Sequence, residues 1–205
     1  MHQKPLTFVR QVLSLITYPE LEKLVPEGTF PSDVIDRAHK LLAANPGGSG
    51  AYSNSKGVPL VCQDIADFIT RRDGYKCDAS SVFLSNGASQ SVQNALFFLS
   101  SSPKDGFLTP IPQYPLYSAT ITLYNDHLIG YYLDEDHEWG LDMNELELRV
   151  KEAEEQGIKL KGLVIINPGN PTGMVGALFS FHRSVWKRRR CKTAFASASS
   201  TSWFF

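Results

Sequence analysis

The sequence predicts an α/β protein in which a mainly parallel β-sheet has helices packed against its faces. Two observations lead to this fold class. Up to about residue 75 apolar residues recur mostly at helical spacing, and from about residue 80 short apolar runs alternate with helical stretches. Ligands of such sheets bind beyond the carboxyl ends of the strands, so the segments that follow the strands are the first candidates for a site.

The N-terminal part is predicted to form three packing helices. The first includes Val12 and Leu13, and the second has Ser32 in position to cap its start. A loop rich in Gly and Ser covers residues 45–57. A third amphipathic helix follows it and is expected to end near residues 71–74.

Beyond residue 80 the alternating pattern predicts four strands and three helices. Asp142 and Glu145 have the spacing of a capping box at the start of the last helix. The expected strands are residues 82–84, 106–108, 128–133 and 163–166, and the expected helices are residues 89–99, 116–124 and 142–156.

Composition excludes several classes of protein. The 205 residues are 42% hydrophobic and 20% charged, which is typical of a globular chain, and no apolar run is long enough to span a membrane. The N-terminus lacks the pattern of a secretory signal. Three scattered cysteines do not suggest a disulfide framework or a zinc site, and no histidine has ligand spacing, so we expect reduced thiols, an intracellular protein and no metal.

The net charge of −1 is the sum of two unlike parts. Residues 1–155 carry all 21 acidic and 12 basic residues, whereas residues 156–205 carry 8 basic residues and no acidic one. A basic run at residues 187–192 could bind nucleic acid or direct nuclear import, but an accidental run in an unfolded tail explains it better. We expect residues 177–205 to be an aberrant, disordered tail that arises from a wrong reading frame or an unspliced intron.

Two strand ends carry candidate binding residues. Ala88 and Ser89 open a helix after the first expected strand, where small residues let an anion approach free backbone N–H groups. An ordinary helix cap would explain the same residues. Tyr114 follows the second strand between prolines that stiffen the backbone, so its ring could stack on a flat cofactor or simply pack under a loop.

The segment after the fourth expected strand is more specific. In residues 167–173, with the sequence NPGNPTG, two Asn-Pro pairs bracket a glycine and leave amides such as that of Asn170 to offer donors and acceptors to a ligand. A generic turn is a poor explanation of these residues. Neither a dinucleotide fingerprint nor a P-loop occurs in the chain.

The NPGNPTG segment resembles the class I pyridoxal-phosphate-dependent aminotransferases. The segments GAYS at 50–53, PIPQYPLYSAT at 110–120 and YYLD at 131–134 are similar to the alanine aminotransferases in particular, and the resemblance covers about residues 3–176. It implies an incomplete three-layer large domain of fold-type I over residues 76–176. Residues 1–75 would supply helices of the small domain and an interface loop.

The resemblance also implies a site and its partners. Ala88 and Ser89 match the turn that binds the phosphate of pyridoxal phosphate, and Tyr114 matches the ring that stacks on its pyridine. Asn170 matches the amide that hydrogen-bonds the ring hydroxyl and lies against the substrate. Tyr52 matches a tyrosine that reaches the phosphate of a partner subunit, so the family implies a homodimer that acts on amino acids and 2-oxo acids.

The catalytic residues of the family would lie after NPGNPTG, and nothing there matches them. We therefore expect no Schiff-base lysine in this chain, and no alanine:2-oxoglutarate transaminase activity from it alone. A non-catalytic fragment, a binding module or another fold-type I enzyme are the alternatives. We expect poor solubility from an uncovered sheet edge. A cytoplasmic location is expected, with a mitochondrial one as the alternative because an upstream segment of the family pattern is missing.

Overall fold

The computed structural model describes residues 4–175. The chain divides into two compact units, one up to Ser85 and one from Asn86. The domain limits expected from the sequence, at residues 75 and 176, stay predictions. The basic run and the tail expected over residues 177–205 lie outside the described residues.

The N-terminal unit is helical, and its three predicted helices are confirmed. A shared core joins the first and third helices of the unit, and an ion pair of 2.6 Å between Arg37 and Asp64 links the third helix to the fourth. The helices are α1 (Thr7–Thr17), a short α2 (Leu21–Leu24), α3 (Ser32–Ala44) and α4 (Pro59–Asp73), and the core of α1 and α3 consists of Val12, Leu15, Val34 and Ala38.

The expected cap of the second predicted helix is wrong. Ser32 is already the first helical residue of α3, and Pro31 occupies the cap position. The extended Pro31 supplies a carbonyl that accepts the N–H groups of Val34 at 3.1 Å and Ile35 at 3.2 Å, so the helix begins one residue early. The carboxylate of Asp33 accepts the Val34 N–H at 3.0 Å, where the serine hydroxyl was expected to cap the helix.

The C-terminal unit contains a mainly parallel sheet, as predicted. Its four strands lie in the order β3-β2-β1-β4; β1 is parallel to β2 and β4, and β3 runs antiparallel to β2. No helix among residues 4–175 is long and apolar enough to cross a bilayer. The strands are β1 (Asp105–Ile111), β2 (His127–Asp134), β3 (Gly140–Leu141) and β4 (Lys159–Leu163), and the helices are α5 (Ala88–Leu99), α6 (Leu116–Leu123) and α7 (Met143–Glu155).

Helices cover both faces of this sheet, which gives three layers. Successive side chains of a strand point to opposite faces, and in the central strand β1 Phe107 packs towards α5 and α6 while Leu108 packs towards α7. Gly162 of β4 lies directly under Phe107, where an added Cβ would sit 3.2 Å from the aromatic ring. The sheet therefore encloses an apolar layer on each side.

Two strand predictions need correction. Residues 82–84 form no strand: the N–H of Leu84 donates to the carbonyl of Lys56 at 2.7 Å, and Phe83 is 68% exposed. The last strand is Lys159–Leu163 and ends where the expected strand at 163–166 would begin. The strand was missed because lysines at 159 and 161 interrupt its apolar pattern. Its outer position in the described sheet tolerates these charges.

The capping box predicted for α7 forms only in part. The carboxylate of Asp142 accepts the N–H of Asn144 at 2.8 Å, as an N-cap should. Glu145 instead accepts the N–H of Tyr132 at 3.1 Å and pairs with Arg149 at 2.9 Å. Glu145 thus links α7 to β2 by a hydrogen bond and does not cap the N-terminus of its own helix.

The hydroxyl of Tyr131 offers a first test of the packing. It is buried and donates to the carbonyl of Val164 at 2.7 Å, which joins β2 to the chain just beyond β4, and burial raises the pKa of this phenol. We expect Tyr131→Phe to lower the free energy of unfolding by about 1 kcal/mol, because one buried hydrogen bond is lost. Urea unfolding measures this. Tyr132→Phe, at a 56% exposed neighbour, should have little effect, and equal losses would contradict the assignment.

Candidate functional site

The carboxyl ends of β1, β2 and β4 meet at one edge of the sheet because these strands are parallel. Tyr114 lies in the connection between β1 and α6, and Asn170 lies in the turn that follows β4. Both residues therefore occupy the edge at which parallel sheets bind ligands.

Helix α5 brings Ala88 and Ser89 to the same edge. Its C-terminal end lies at the opposite edge, where the N–H and hydroxyl of Ser101 both donate to Asp105, the first residue of β1, at 2.8 Å. A helix of this length spans about 18 Å, which is the scale of a strand, so its first residues lie near the carboxyl ends. Ala88 and Ser89 are its first two residues, so the helix begins one residue before the expected start at residue 89.

The N-terminus of α5 is open to an anion. Gly87 occupies the cap position with φ 81° and ψ 167°, and the first helical bond runs from the N–H of Ser91 to the Gly87 carbonyl at 3.5 Å. Among the described residues, no acceptor binds the backbone N–H groups of Ala88, Ser89 or Gln90. These donors and the positive end of the helix dipole suit a phosphate group.

Sequence reasoning missed Gln90. Its side-chain oxygen accepts the N–H of Asn86 at 2.8 Å and so closes the turn that leads into α5. A glutamine three residues after the cap at Gly87 is the spacing of a capping box, and this spacing is the signal that could have identified it.

The turn after β4 is closed by its own backbone. The N–H of Gly169 donates to the Met174 carbonyl, and the N–H of Gly173 donates to the Gly169 carbonyl, both at 2.7 Å. A Cβ on Gly169 would collide with the hydroxyl of Thr172, so a larger residue there would force that side chain to move. Asn170 is left exposed at the tip, with its amide available to a ligand.

Asn170 and the segment before Tyr114 line one small apolar cavity. Pro110 and Pro112 contribute from the end of β1, and Ile165 and Met174 contribute from the chain after β4. Tyr114 itself is 49% exposed. The stiff proline segment and the closed turn thus lie side by side, and each presents one polar or aromatic side chain to solvent.

The fifth predicted residue belongs to the other compact unit. Tyr52 belongs to the N-terminal unit, where its side chain is fully exposed. The other four predicted residues, Ala88, Ser89, Tyr114 and Asn170, lie in the C-terminal unit, at the carboxyl edge of its sheet. Residues 4–175 hold no group of three or more His, Cys, Asp or Glu side chains placed to bind a metal.

The backbone at Gly87 offers a second test. Its dihedral angles lie in a region that is open almost only to glycine, although no atom lies within 4 Å of the position of an added Cβ. We expect Gly87→Ala to lower the free energy of unfolding by about 1–3 kcal/mol through backbone strain alone. Gly50→Ala is the matched control, since Gly50 has equal space and no positive φ. Indistinguishable urea midpoints for the two variants would contradict this.

Comparisons with known proteins agree on one family. Residues 23–178 match the family model for aminotransferase class I and II. The chain is 51% identical over 174 residues to "Probable alanine aminotransferase, mitochondrial" of Dictyostelium discoideum, covering 84% of this chain and 33% of that protein. It is 52% identical over 172 residues to "Glutamate--glyoxylate aminotransferase 2" of Arabidopsis thaliana, covering 83% of this chain and 36% of that protein.

The fold has the same relatives. The solved alanine aminotransferase of Pyrococcus furiosus superposes with a TM-score of 0.65 at 18% identity, covering 95% of this chain and 51% of that one. At this identity the likeness concerns the fold alone, and it confirms the predicted fold class. The chain spans about a third of the length of the curated relatives it matches.

Proposed function

Because this chain belongs to the family of class I and II aminotransferases, we propose that the carboxyl edge of its sheet binds pyridoxal phosphate as part of an aminotransferase site. The observation that carries the proposal is the open N-terminus of α5, with three backbone donors, at the edge that also holds Tyr114 and Asn170. A phosphate, a flat ring and a ring hydroxyl are the three features that these groups would recognise.

The residues present fit the cofactor. The N–H groups of Ala88 and Ser89 and the Ser89 hydroxyl would donate to the phosphate, whose charge the helix dipole favours. Open space at Gly87 lets the phosphate approach the backbone. The exposed ring of Tyr114 would stack on the pyridine, and the proline-rich segment that carries it limits the loss of entropy on binding.

Asn170 would set the orientation of the ring. An amide can donate to the ring hydroxyl or its oxyanion, and the closed turn around Gly169 holds the backbone that carries this amide. The same side chain would lie next to the substrate. When bound, the cofactor supplies an electron sink for the bond that is broken at the α-carbon of the substrate.

We extend the proposal to a homodimer. The fully exposed side chain of Tyr52 supports a role towards a second copy of the chain, as the resemblance implies. Amino acids and 2-oxo acids would be the substrates. Alanine and 2-oxoglutarate are the first candidate pair, and glutamate with glyoxylate is the second, because relatives with the two kinds of name are 51% and 52% identical to this chain.

Catalytic activity and cellular location are separate proposals from cofactor binding. We propose that the 205-residue chain does not convert alanine and 2-oxoglutarate by itself, since no lysine matches the catalytic lysine of the family. Turnover that disappears when a lysine of this chain is replaced would contradict that. A cytoplasmic location stays a proposal, and the mitochondrial name of the Dictyostelium relative supports the alternative.

Ligand binding tests the site. We expect equilibrium dialysis to show that the chain binds pyridoxal phosphate more tightly than pyridoxal, which lacks the phosphate. Ser89→Ala should weaken pyridoxal phosphate about fivefold, the worth of one hydrogen bond, and leave pyridoxal unchanged. Asn170→Ala should weaken both ligands because it contacts the ring. Equal affinity for the two ligands, or no binding of either, would overturn the proposal.

A further inference from the structure

The loop that carries Tyr52 is held at both ends within the N-terminal unit. At its start, the side-chain amide of Asn45 donates to the Gly48 carbonyl at 2.6 Å. At its end, the Gly57 N–H donates to the Asn54 carbonyl at 2.9 Å and the Lys56 N–H donates to the Asn54 side chain at 3.0 Å. Between these anchors Tyr52 is fully exposed. The two anchors therefore restrain the backbone on either side of this exposed ring.

Lys56 ties the second anchor to the segment of residues 80–84. Its ammonium donates to the Ser80 carbonyl at 2.7 Å and lies 4.9 Å from the centre of the Phe83 ring. Its own carbonyl accepts the Leu84 N–H at 2.7 Å. Lys56 thus binds the segment of residues 80–84 through both its side chain and its backbone. We call these three contacts the Lys56 clasp.

The junction around the clasp is tightly packed. Gly57 has φ 124°, and a Cβ there would collide with the side chain of Leu84. The buried thiol of Cys62 lies 4.0 Å from the Lys56 carbonyl and 3.8 Å from the Val82 carbonyl. Close approach of this kind leaves the backbone of the loop end little freedom.

We propose that Lys56 is a positioning residue for Tyr52. The inference rests on the proposed function, in which Tyr52 contacts the phosphate bound by a second copy of the chain. An exposed ring loses conformational freedom when it binds, and that cost weakens affinity. The Lys56 clasp removes part of the cost before binding, because it fixes the chain four residues beyond the tyrosine. Lys56 itself need not touch the cofactor.

The test uses the full 205-residue chain, with pyridoxal phosphate and pyridoxal as probes in equilibrium dialysis. We expect Lys56→Met to weaken pyridoxal phosphate about fivefold and to leave pyridoxal unchanged, since only the phosphate would contact Tyr52. Lys56→Arg, which keeps a cation for the Ser80 carbonyl and the Phe83 ring, should restore most of the affinity. Lys40→Met is the matched control. Lys40 is exposed on α3, and its replacement by methionine removes the same charge as Lys56→Met.

A double variant separates positioning from general stability. If Lys56 acts through Tyr52, Tyr52→Phe combined with Lys56→Met should bind no more weakly than Tyr52→Phe alone. Additive losses, equal losses for both ligands, or the same loss in Lys40→Met would overturn the inference and leave the proposed function intact. Failure of the unmodified chain to bind pyridoxal phosphate would overturn both. If Lys56→Met does not fold, Phe83→Leu should show the same selective loss at about twofold.

Discussion

Replacing Phe107 with alanine is expected to lower the free energy of unfolding by about 4 kcal/mol. Phe107 is buried in the central strand and packs in one cluster with Val92 of α5, Tyr117 of α6 and Val164 beyond β4. Gly162 beneath its ring has no side chain that could move into the space. The cavity would therefore stay open, and both the transfer energy and the lost contacts would count against the folded state.

Urea unfolding followed by far-ultraviolet circular dichroism measures this loss. Phe98→Ala is the matched control, because it also removes a phenylalanine side chain, but from a position on α5 that is 81% exposed. It should change the free energy of unfolding by less than about 0.5 kcal/mol. A loss at Phe107 no larger than that at Phe98 would show that the apolar layer under α5 is not packed as described.

Replacing Asp105 with alanine should cost about 3 kcal/mol. Asp105 is fully buried at the start of β1, and one of its oxygens accepts both the N–H and the hydroxyl of Ser101 at 2.8 Å. Lys161 of β4 lies 3.4 Å from the same oxygen and also donates to the Ser101 hydroxyl at 2.9 Å. The alanine variant leaves these donors and the ammonium without their carboxylate. Ser101→Ala, which removes only the hydroxyl, should cost about 1 kcal/mol.

The pH dependence distinguishes Asp105 from its neighbour Asp126. Burial opposes ionisation of Asp105, but the hydrogen bonds from Ser101 and the charge of Lys161 outweigh it and lower the pKa. Burial raises the pKa of Asp126, and the negative charge of Asp105 adds to the rise. Asp105 therefore contributes stability that is lost as pH falls through its lowered pKa. Asp126 contributes stability that is lost as pH rises from its ordinary value of 3.8 through its raised pKa.

Urea midpoints between pH 3 and pH 8 test these opposite signs. In Asp126→Asn the loss of stability with rising pH should shrink, because the amide stays neutral at every pH. The amide oxygen can still accept from the Ser100 hydroxyl, which lies 2.9 Å from the Asp126 carboxylate in the unmodified chain. In Asp105→Ala the loss of stability towards acid should shrink, and the loss with rising pH should shrink only in part, because burial still raises the pKa of Asp126. Identical pH profiles for the two variants would contradict the assignment of opposite shifts.

Periodicity and composition predicted most of the fold because most helices and strands here carry their own pattern. α1, α3, α4 and α7 show an apolar face, and β1 is a continuous buried run. The expected strand at residues 82–84 failed for a physical reason. Three apolar residues cannot define a strand without a partner, and the Lys56 clasp, formed by residues far apart in sequence, takes the N–H of Leu84.

The sequence indicated candidate site residues where local chemistry suffices. The small residues around Gly87 and the prolines around Tyr114 indicate special backbone conformations in the sequence. The two Asn-Pro pairs indicate the turn around Asn170. Gln90 could have been identified from its capping-box spacing, because its contact with Asn86 is local. The contacts of Lys56 join residues more than twenty positions apart, so a single sequence does not indicate them.

The strand order has a consequence for synthesis of the chain. β1 occupies the interior of the sheet, yet β4, one of its two neighbours, is made last of the four strands. At usual translation rates the ribosome needs roughly 3–10 s to pass from the end of β1 to the end of β4. During those seconds the edge of β1 at Asp105–Leu108 lacks its hydrogen-bonding partner. Until β4 emerges, that edge is open to pairing with other chains, which favours aggregation of the nascent chain.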